Sequence, residues 1–305
     1  MQVIVHGGAG STPDEPESRQ AVLDEAANAG GTAETPVDAV EAAIHVLESS
    51  PRFNAGVGGA VQSDGFVRTD ASIMTDDRSV GAACSMPGVE HAVSVARVVM
   101  EETPHGFVSG EHAVALAEEY GVETAVDLWS ERTRAKWADL EVPEGGVGVQ
   151  LEWIRDQYGR SDPDGREEDS DEGDSGVGDE HDHDTVGAVA FDGESLAAAT
   201  STGGRWLALA GRVGDVPQVG SGFYCCPAAG VSATGAGEDI ARVTLSRRVA
   251  RHVERGLDAG AAADLAIEEF GELTGSSAGV IAIDSSGRLG SAFNSDGMQT
   301  ASVER

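Results

Sequence analysis

Apolar positions along this chain repeat at two spacings, and the switches between them mark out short strands and helices. Residues 2–5 are a β-rich run leading into His6-Gly7-Gly8-Ala9-Gly10, which reads as an opening strand ending in a tight glycine turn. Thr35 and Pro36 supply an N-cap and a first-turn proline. Val37, Val40, Ile44 and Leu47 follow at helical spacing until Ser49-Ser50-Pro51 stops the helix. Residues 67–74 and 80–86 read as strands, and 93–102 and 111–120 as helices. Further on, 186–191 and 195–200 form two strands joined by Asp192-Gly193-Glu194, a compact hairpin signal. Residues 238–255 are helical, with Ile240, Val243 and Val253 on one stripe, and 258–272 form a second helix. Strands at 278–283 and 290–293, joined through Ser285-Ser286-Gly287, close the chain. No repeat is present, and the pattern by itself reaches only mixed α and β.

One segment breaks the pattern. Residues 162–184 hold twelve Asp or Glu and one Arg, with almost nothing that could enter a core. Such a stretch cannot bury enough apolar surface to offset its ordering entropy, so a disordered acidic tail is expected over about 160–184. Immediately after it stands Thr185, at the head of the apolar run Val186-Gly187-Ala188-Val189-Ala190-Phe191. A hydroxyl residue between a mobile tether and a buried strand suits a chain that cuts itself there. The freed α-amine can then serve Thr185 as its own base. The acidic tract precedes a nucleophile rather than a second domain, so residues 1–305 read as one domain with an internal processing site between Asp184 and Thr185.

Charge narrows the class. The chain has 53 acidic residues against 20 basic ones, a formal charge of −33, and Lys136 is its one lysine. Nucleic acid is excluded as a partner, because phosphate binding needs a basic footprint. Self-repulsion of this size destabilises a compact state in dilute salt. Few lysines, many carboxylates and much Ala and Gly fit a protein adapted to molar salt, where the Debye length is about 3 Å. The start of the chain carries no basic, apolar leader, and no run approaches the roughly 18 apolar residues of a membrane span, so a cytoplasmic location is expected. Cys84, Cys225 and Cys226 are too few for a disulfide framework and read as free buried thiols.

Six glycine-rich pieces complete the picture: His6-Gly7-Gly8-Ala9-Gly10, Phe53-Asn54-Ala55-Gly56, Thr200-Ser201-Thr202-Gly203-Gly204, Gly211-Arg212-Val213-Gly214-Asp215, Gly220-Ser221-Gly222 and Thr234-Gly235-Ala236-Gly237-Glu238. Together with the Asp184-Thr185 junction, and in this order, they make the chain closely resemble the plant-type L-asparaginase/isoaspartyl peptidase family from about residue 2 to about 300. The resemblance implies an α+β fold, the αββα sandwich of the Ntn hydrolases, cut into an α subunit of residues 1–184 and a β subunit of 185–305. It implies that two such αβ units form an (αβ)2 heterotetramer. It also implies a small-molecule substrate, L-asparagine or a β-aspartyl dipeptide, and no cofactor beyond a structural sodium held by backbone carbonyls of the loop from Leu47 to Val57.

The resemblance assigns roles that the residues alone leave open. Thr185 is the implied nucleophile, where a lone Thr is ordinarily a β-branched strand residue. Thr202 matches the threonine whose hydroxyl supports it, and Asn54 an asparagine near it, although Asn54 equally suits an Asx-type turn. Arg212 and Asp215 match the groups that hold the α-carboxylate and α-amine of an aspartyl substrate; the bland reading is a salt bridge flanking a glycine turn. Thr234 and Gly235, with Gly237 beyond, lie just before a helix, where donors gather for an oxyanion. His181-Asp182-His183-Asp184 lies in a tether unsuited to preorganised ligation, and no metal site is expected there. Many relatives have glycine before the nucleophile. Asp184 instead matches the glycosylasparaginases, although no Trp stands near His6 to Thr12 as in that branch. Asp184 could serve as a base for self-cleavage or be one more solvated acid. The alternatives are thus a glycosylasparaginase, a taspase-like endopeptidase, or an uncleaved, inactive acidic binding protein.

The charge balance generates a first prediction. Melting temperature and activity should both rise from about 50 mM to molar KCl or NaCl as screening removes the self-repulsion. Full activity and an unchanged melting temperature across that range would contradict adaptation to salt.

Overall fold

A computed structural model describes residues 1–13, 15–143, 145–158 and 184–305. The acidic tail expected over about 160–184 lies outside the described residues except for Asp184. In chain order the elements are β1 (Gln2–Gly10), α1 (Pro16–Gly31), α2 (Pro36–Glu48), β2 (Arg68–Thr75), β3 (Val80–Pro87), α3 (Ala92–Glu102), β4 (Val108–Ser109), α4 (Glu111–Glu119), α5 (Glu131–Ala138) and α6 (Val147–Tyr158). There follow β5 (Val186–Phe191), β6 (Leu196–Thr202), β7 (Phe223–Cys226), β8 (Ala229–Gly235), α7 (Gly237–Val243), α8 (Leu245–Glu254), α9 (Ala259–Thr274), β9 (Ala278–Asp284), β10 (Leu289–Phe293) and β11 (Gly297–Glu304).

The α+β class holds. Seven strands form one sheet in the order β11-β1-β5-β6-β2-β3-β4, and four form a second in the order β10-β9-β8-β7. Neighbours run antiparallel except β3 and β4. Alternation along the central strands explains why their sequences are apolar almost throughout. Val3, Val5, Ala188, Ala190, Ala197 and Ala199 enter a core shared with Leu23, Ile44 and Leu47 of α1 and α2. Ile4, Val189, Phe191, Leu196 and Ala198 point the other way, into a core with Phe223, Val231 and Val280 of the second sheet and Val249, Ile267 and Phe270 of α8 and α9. Both faces of the larger sheet are therefore buried. A smaller cluster of Val61, Val67, Leu128, Trp206 and Leu207 fastens the loops beside the central strands.

Helix α2 begins as its sequence dictates: the Thr35 hydroxyl accepts from Asp38 N–H at 3.2 Å, with Pro36 at the first turn. The helix expected over 238–255 is instead two. Thr244 adopts a left-handed conformation (φ 52°), and the Ser246 and Arg247 N–H groups donate to Ser221 and Gly220 carbonyls rather than back along a helix. Helix α1 went unread because its stripe is mostly alanine with Leu23 as its large apolar residue. Strand β11 did so because its polar residues alternate along a half-exposed edge. Among the described residues no helix is long and apolar enough to cross a membrane.

Candidate active site

The hairpin of β5 and β6 places the central pair. Its register sets Val186 opposite Ser201, so the next step outward brings Thr185 beside Thr202. The Thr185 hydroxyl donates to Thr202 Oγ1 at 3.0 Å, and that oxygen also accepts from Gly204 N–H at 3.1 Å. Both threonines are buried, 9% and 4% exposed, so their contact is protected from competing water. Gly187, just inside the strand, has no room for a side chain: a Cβ there would lie 1.9 Å from Ser232 Oγ and 2.3 Å from His6 Nε2.

The bond between Asp184 and Thr185 is held from both sides. Asn54 N–H donates to the Asp184 carbonyl at 3.1 Å, placing a hydrogen-bond donor on the oxygen that would become anionic if Thr185 attacked it. Asn54 is itself locked: its Oδ1 accepts from Ala60 N–H at 2.8 Å, its Nδ2 donates to the Gly204 carbonyl at 2.6 Å, and its carbonyl accepts from Gly203 N–H. On the other side, Arg19 grips the Asp184 carboxylate with two nitrogens at 2.8 and 3.0 Å. Arg19 also donates to the Gly7 and Arg52 carbonyls and stacks on Phe53. Asp184 is thus an ion-paired, buried group. That geometry favours an anchoring part over a base or a solvated acid.

Arg19 was invisible in the sequence, since its partner is 165 residues away. So was a buried polar chain beneath Thr185, in which His6 Nε2 meets Ser232 Oγ at 2.9 Å and Ser232 meets Thr200 Oγ1 at 2.7 Å. Burial drives the His6 pKa down to about 3, opposed in part by the Thr185 backbone, so the ring stays neutral at working pH.

A cavity of about 500 Å³ opens from the threonines. Of the residues read from sequence, Thr185, Thr202, Gly235, Gly237, Arg212 and Asp215 line it; Thr234 is 1% exposed in β8 and lies behind the wall. Gly237 leaves space between the charged pair, since a Cβ there would sit 2.8 Å from Asp215 Oδ1 and 2.9 Å from Arg212. Arg205, Arg212 and Arg242 gather on this wall of a strongly acidic protein, which favours a ligand bearing a carboxylate. The salt bridge of the bland reading does not form between Arg212 and Asp215. The Arg212 fork closes on Glu238 at 2.8 and 2.7 Å. Asp215 Oδ2 is buried with no hydrogen-bond partner. Burial pushes the Asp215 carboxyl up to about 7, against the pull of its own backbone N–H and of Arg212. A buried carboxylate oxygen without a donor is a site prepared for a cationic group.

The arrangement has the parts of an enzyme that uses a hydroxyl nucleophile: a buried threonine pair, a polarised peptide carbonyl and a cavity lined by both signs of charge. A family profile described as "Asparaginase" matches residues 1–305. The chain is 40% identical over 316 residues to the "Plant-type L-asparaginase" of Pyrococcus abyssi, covering 99% of this chain and 95% of the relative. It is 37% identical over 312 residues to the protein of that name from Pyrococcus furiosus, with 99% and 95% covered. The rat "Isoaspartyl peptidase/L-asparaginase" is 36% identical over 318 residues, covering 100% of this chain and 86% of the relative. The chain belongs to this asparaginase family.

Breaking one side of the Arg19–Asp184 pair should be costly. Arg19→Ala leaves a buried carboxylate unpaired and should destabilise the protein by about 3–5 kcal/mol. In an Asp184→Gly background, where no charge remains to be orphaned, the same substitution should cost far less. Thermal unfolding of the four proteins checks this. Equal penalties in both backgrounds would contradict the coupling.

Proposed function

We propose that this protein is a self-processing threonine hydrolase that releases aspartate from L-asparagine and from β-aspartyl dipeptides. The observation that carries the reading is the Thr185 hydroxyl, 3.0 Å from Thr202 and facing a cavity whose far wall presents Arg212 and Asp215.

Maturation begins with attack of Thr185 Oγ1 on the Asp184 carbonyl carbon while Asn54 N–H stabilises the oxygen. The peptide C–N bond breaks, an ester forms on Oγ1, and the nitrogen leaves as the α-amine of Thr185. Water then hydrolyses the ester to give chains 1–184 and 185–305. The Arg19 grip on Asp184 holds the bond against Asn54 during attack. The new α-amine titrates near 7.7 to 8 and takes the hydroxyl proton in each turnover. Thr185 attacks the side-chain carbonyl of the substrate, and the tetrahedral oxygen rests against Gly235 on the cavity wall, with Thr234 supporting it from behind. Ammonia or the amine of the next residue departs, and water frees aspartate from the acyl-enzyme.

Asp215 takes the substrate ammonium, and Arg212 takes its α-carboxylate by exchanging Glu238 for it. The order of helices, sheet, sheet and helices supports the αββα sandwich of the Ntn hydrolases, and the family supports pairing of two αβ units. The loop over residues 47–57 supports a backbone-held sodium. The carbonyls of Pro51 and Phe53 lie 2.9 and 3.2 Å from where a Gly58 Cβ would begin, so oxygens converge there. Such an ion would supply rigidity to the loop that carries Asn54. Asp184 alone favours the glycosylasparaginase branch; strong hydrolysis of glycosylated asparagine would move the protein there.

Two outcomes test the clamp. Losing one partner of a buried charged contact costs about 2–5 kcal/mol. Arg212→Ala should therefore lower kcat/KM for β-Asp-Leu by roughly 30-fold or more, at about 1.4 kcal/mol per decade, while self-cleavage survives. Wild-type kinetics in that variant would remove the assignment. The pH dependence follows from Asp215, whose carboxyl sits at about 7. Below that pH it is protonated and cannot balance the substrate ammonium, so KM should rise as pH falls from about 8 to about 6. In Asp215→Asn, KM should be high and flat over the same window. A variant that keeps the wild-type KM limb would assign that titration elsewhere.

A further inference from the structure

Away from the cavity, His45 and Glu48 on α2 meet His91 at the start of α3. One ligand-capable atom from each lies within 4.8 Å of the others. We propose that these three side chains form a binding site for a divalent transition cation such as Zn²⁺.

Three features set this cluster apart from an ordinary group of surface charges. Glu48 is fully buried, and its Oε2 has no hydrogen-bond partner; the Nδ1 of His91 has none either. These two atoms face each other at 3.4 Å. A charged N–H···O bond would close to about 2.7–2.9 Å. Two ligands bonded to one tetrahedral Zn²⁺ at about 2.0–2.1 Å stand about 3.4 Å apart. The other carboxylate oxygen of Glu48 is held firmly, accepting from Val93 N–H at 3.1 Å and the Ser201 hydroxyl at 2.6 Å, so Oε2 is aimed.

The third feature is the tautomer of His45. Its Nε2 lies 2.7 Å from Ser94 Oγ, and the Ser94 hydroxyl donates its one proton to Glu41 at 2.7 Å. Ser94 must then accept from His45 Nε2–H, which leaves the lone pair on Nδ1. A histidine whose far nitrogen donates into a carboxylate relay is the usual form of a metal ligand. Two imidazoles and one carboxylate favour zinc-like ions over Mg²⁺ or Ca²⁺, which take oxygen ligands. The histidines are about one-third exposed, so the ion can enter from solvent and water can complete the shell. The site would tie the end of α2 to the start of α3. Through Glu48 and Ser201 it also reaches the residue next to Thr202.

The test titrates Zn²⁺ into metal-stripped full-length protein in molar salt, following heat and, with Co²⁺, the visible spectrum. One equivalent should bind, give the absorption of tetrahedral Co²⁺, and raise the melting temperature by about 5 °C at saturating metal. His45→Ala and His91→Ala should each weaken binding at least about 100-fold. These half-exposed positions leave the fold intact in metal-free buffer, unlike the buried Glu48. The double variant His181→Ala/His183→Ala should bind as wild type does. The proposal is overturned if no Zn²⁺ binds at about 100 μM. It is equally overturned if the affinity survives both single His variants, or disappears with His181 and His183.

Discussion

Val186 faces Ser201 across the two central strands, and the contact between Thr185 and Thr202 depends on that register. Side chains alternate along a strand, so a slip of one residue would turn every side chain of β5 to the opposite core and carry Thr185 away from Thr202. Large cores on both faces of the sheet resist such a slip. Val186, Ala188 and Ala190 belong to one core and Val189 and Phe191 to the other. Gly187 adds a steric lock, because only a residue without a side chain fits against Ser232 and His6. Hydrophobic burial, which has no direction of its own, thereby fixes the position of one hydroxyl to within a hydrogen bond.

Around that hydroxyl the protein places its costly groups. Asp184 and Arg19 are buried together, and such a pair contributes less to stability than to position. Asp70 and Asp215 are both pushed up to about 7 by burial, with Arg212 drawing each of them down. A chain that carries most of its charge on the surface thus keeps a few carboxylates in places where ionisation is disfavoured. That is the usual condition of a site that awaits a charged ligand.

Strands β1, β2, β3, β5, β6, β9 and β10 and the glycine motifs were legible in the sequence because their signals are local. An apolar run announces β5, Thr35-Pro36 announces α2, and each glycine turn flags the residues beside it. Thr185, Thr202, Arg212, Asp215, Gly235 and Gly237, whose roles the family resemblance supplied, all line one cavity. What was missed depends on distance. Arg19 with Asp184, His6 with Ser232, and Arg212 with Glu238 are long-range pairs that no spacing encodes. The break at Thr244 was hidden for the same reason, since the competing carbonyls come from Gly220 and Ser221. His45, Glu48 and His91 come together only because α2 and α3 do.

The central claim is that the peptide bond before Thr185 is spent to make a catalyst. Mass spectrometry with N-terminal sequencing of the purified wild-type protein tests it most directly. The account predicts two chains that remain associated, the smaller beginning Thr185-Val186-Gly187-Ala188. A single intact chain of 31.3 kDa that hydrolyses β-aspartyl dipeptides at full rate would contradict it.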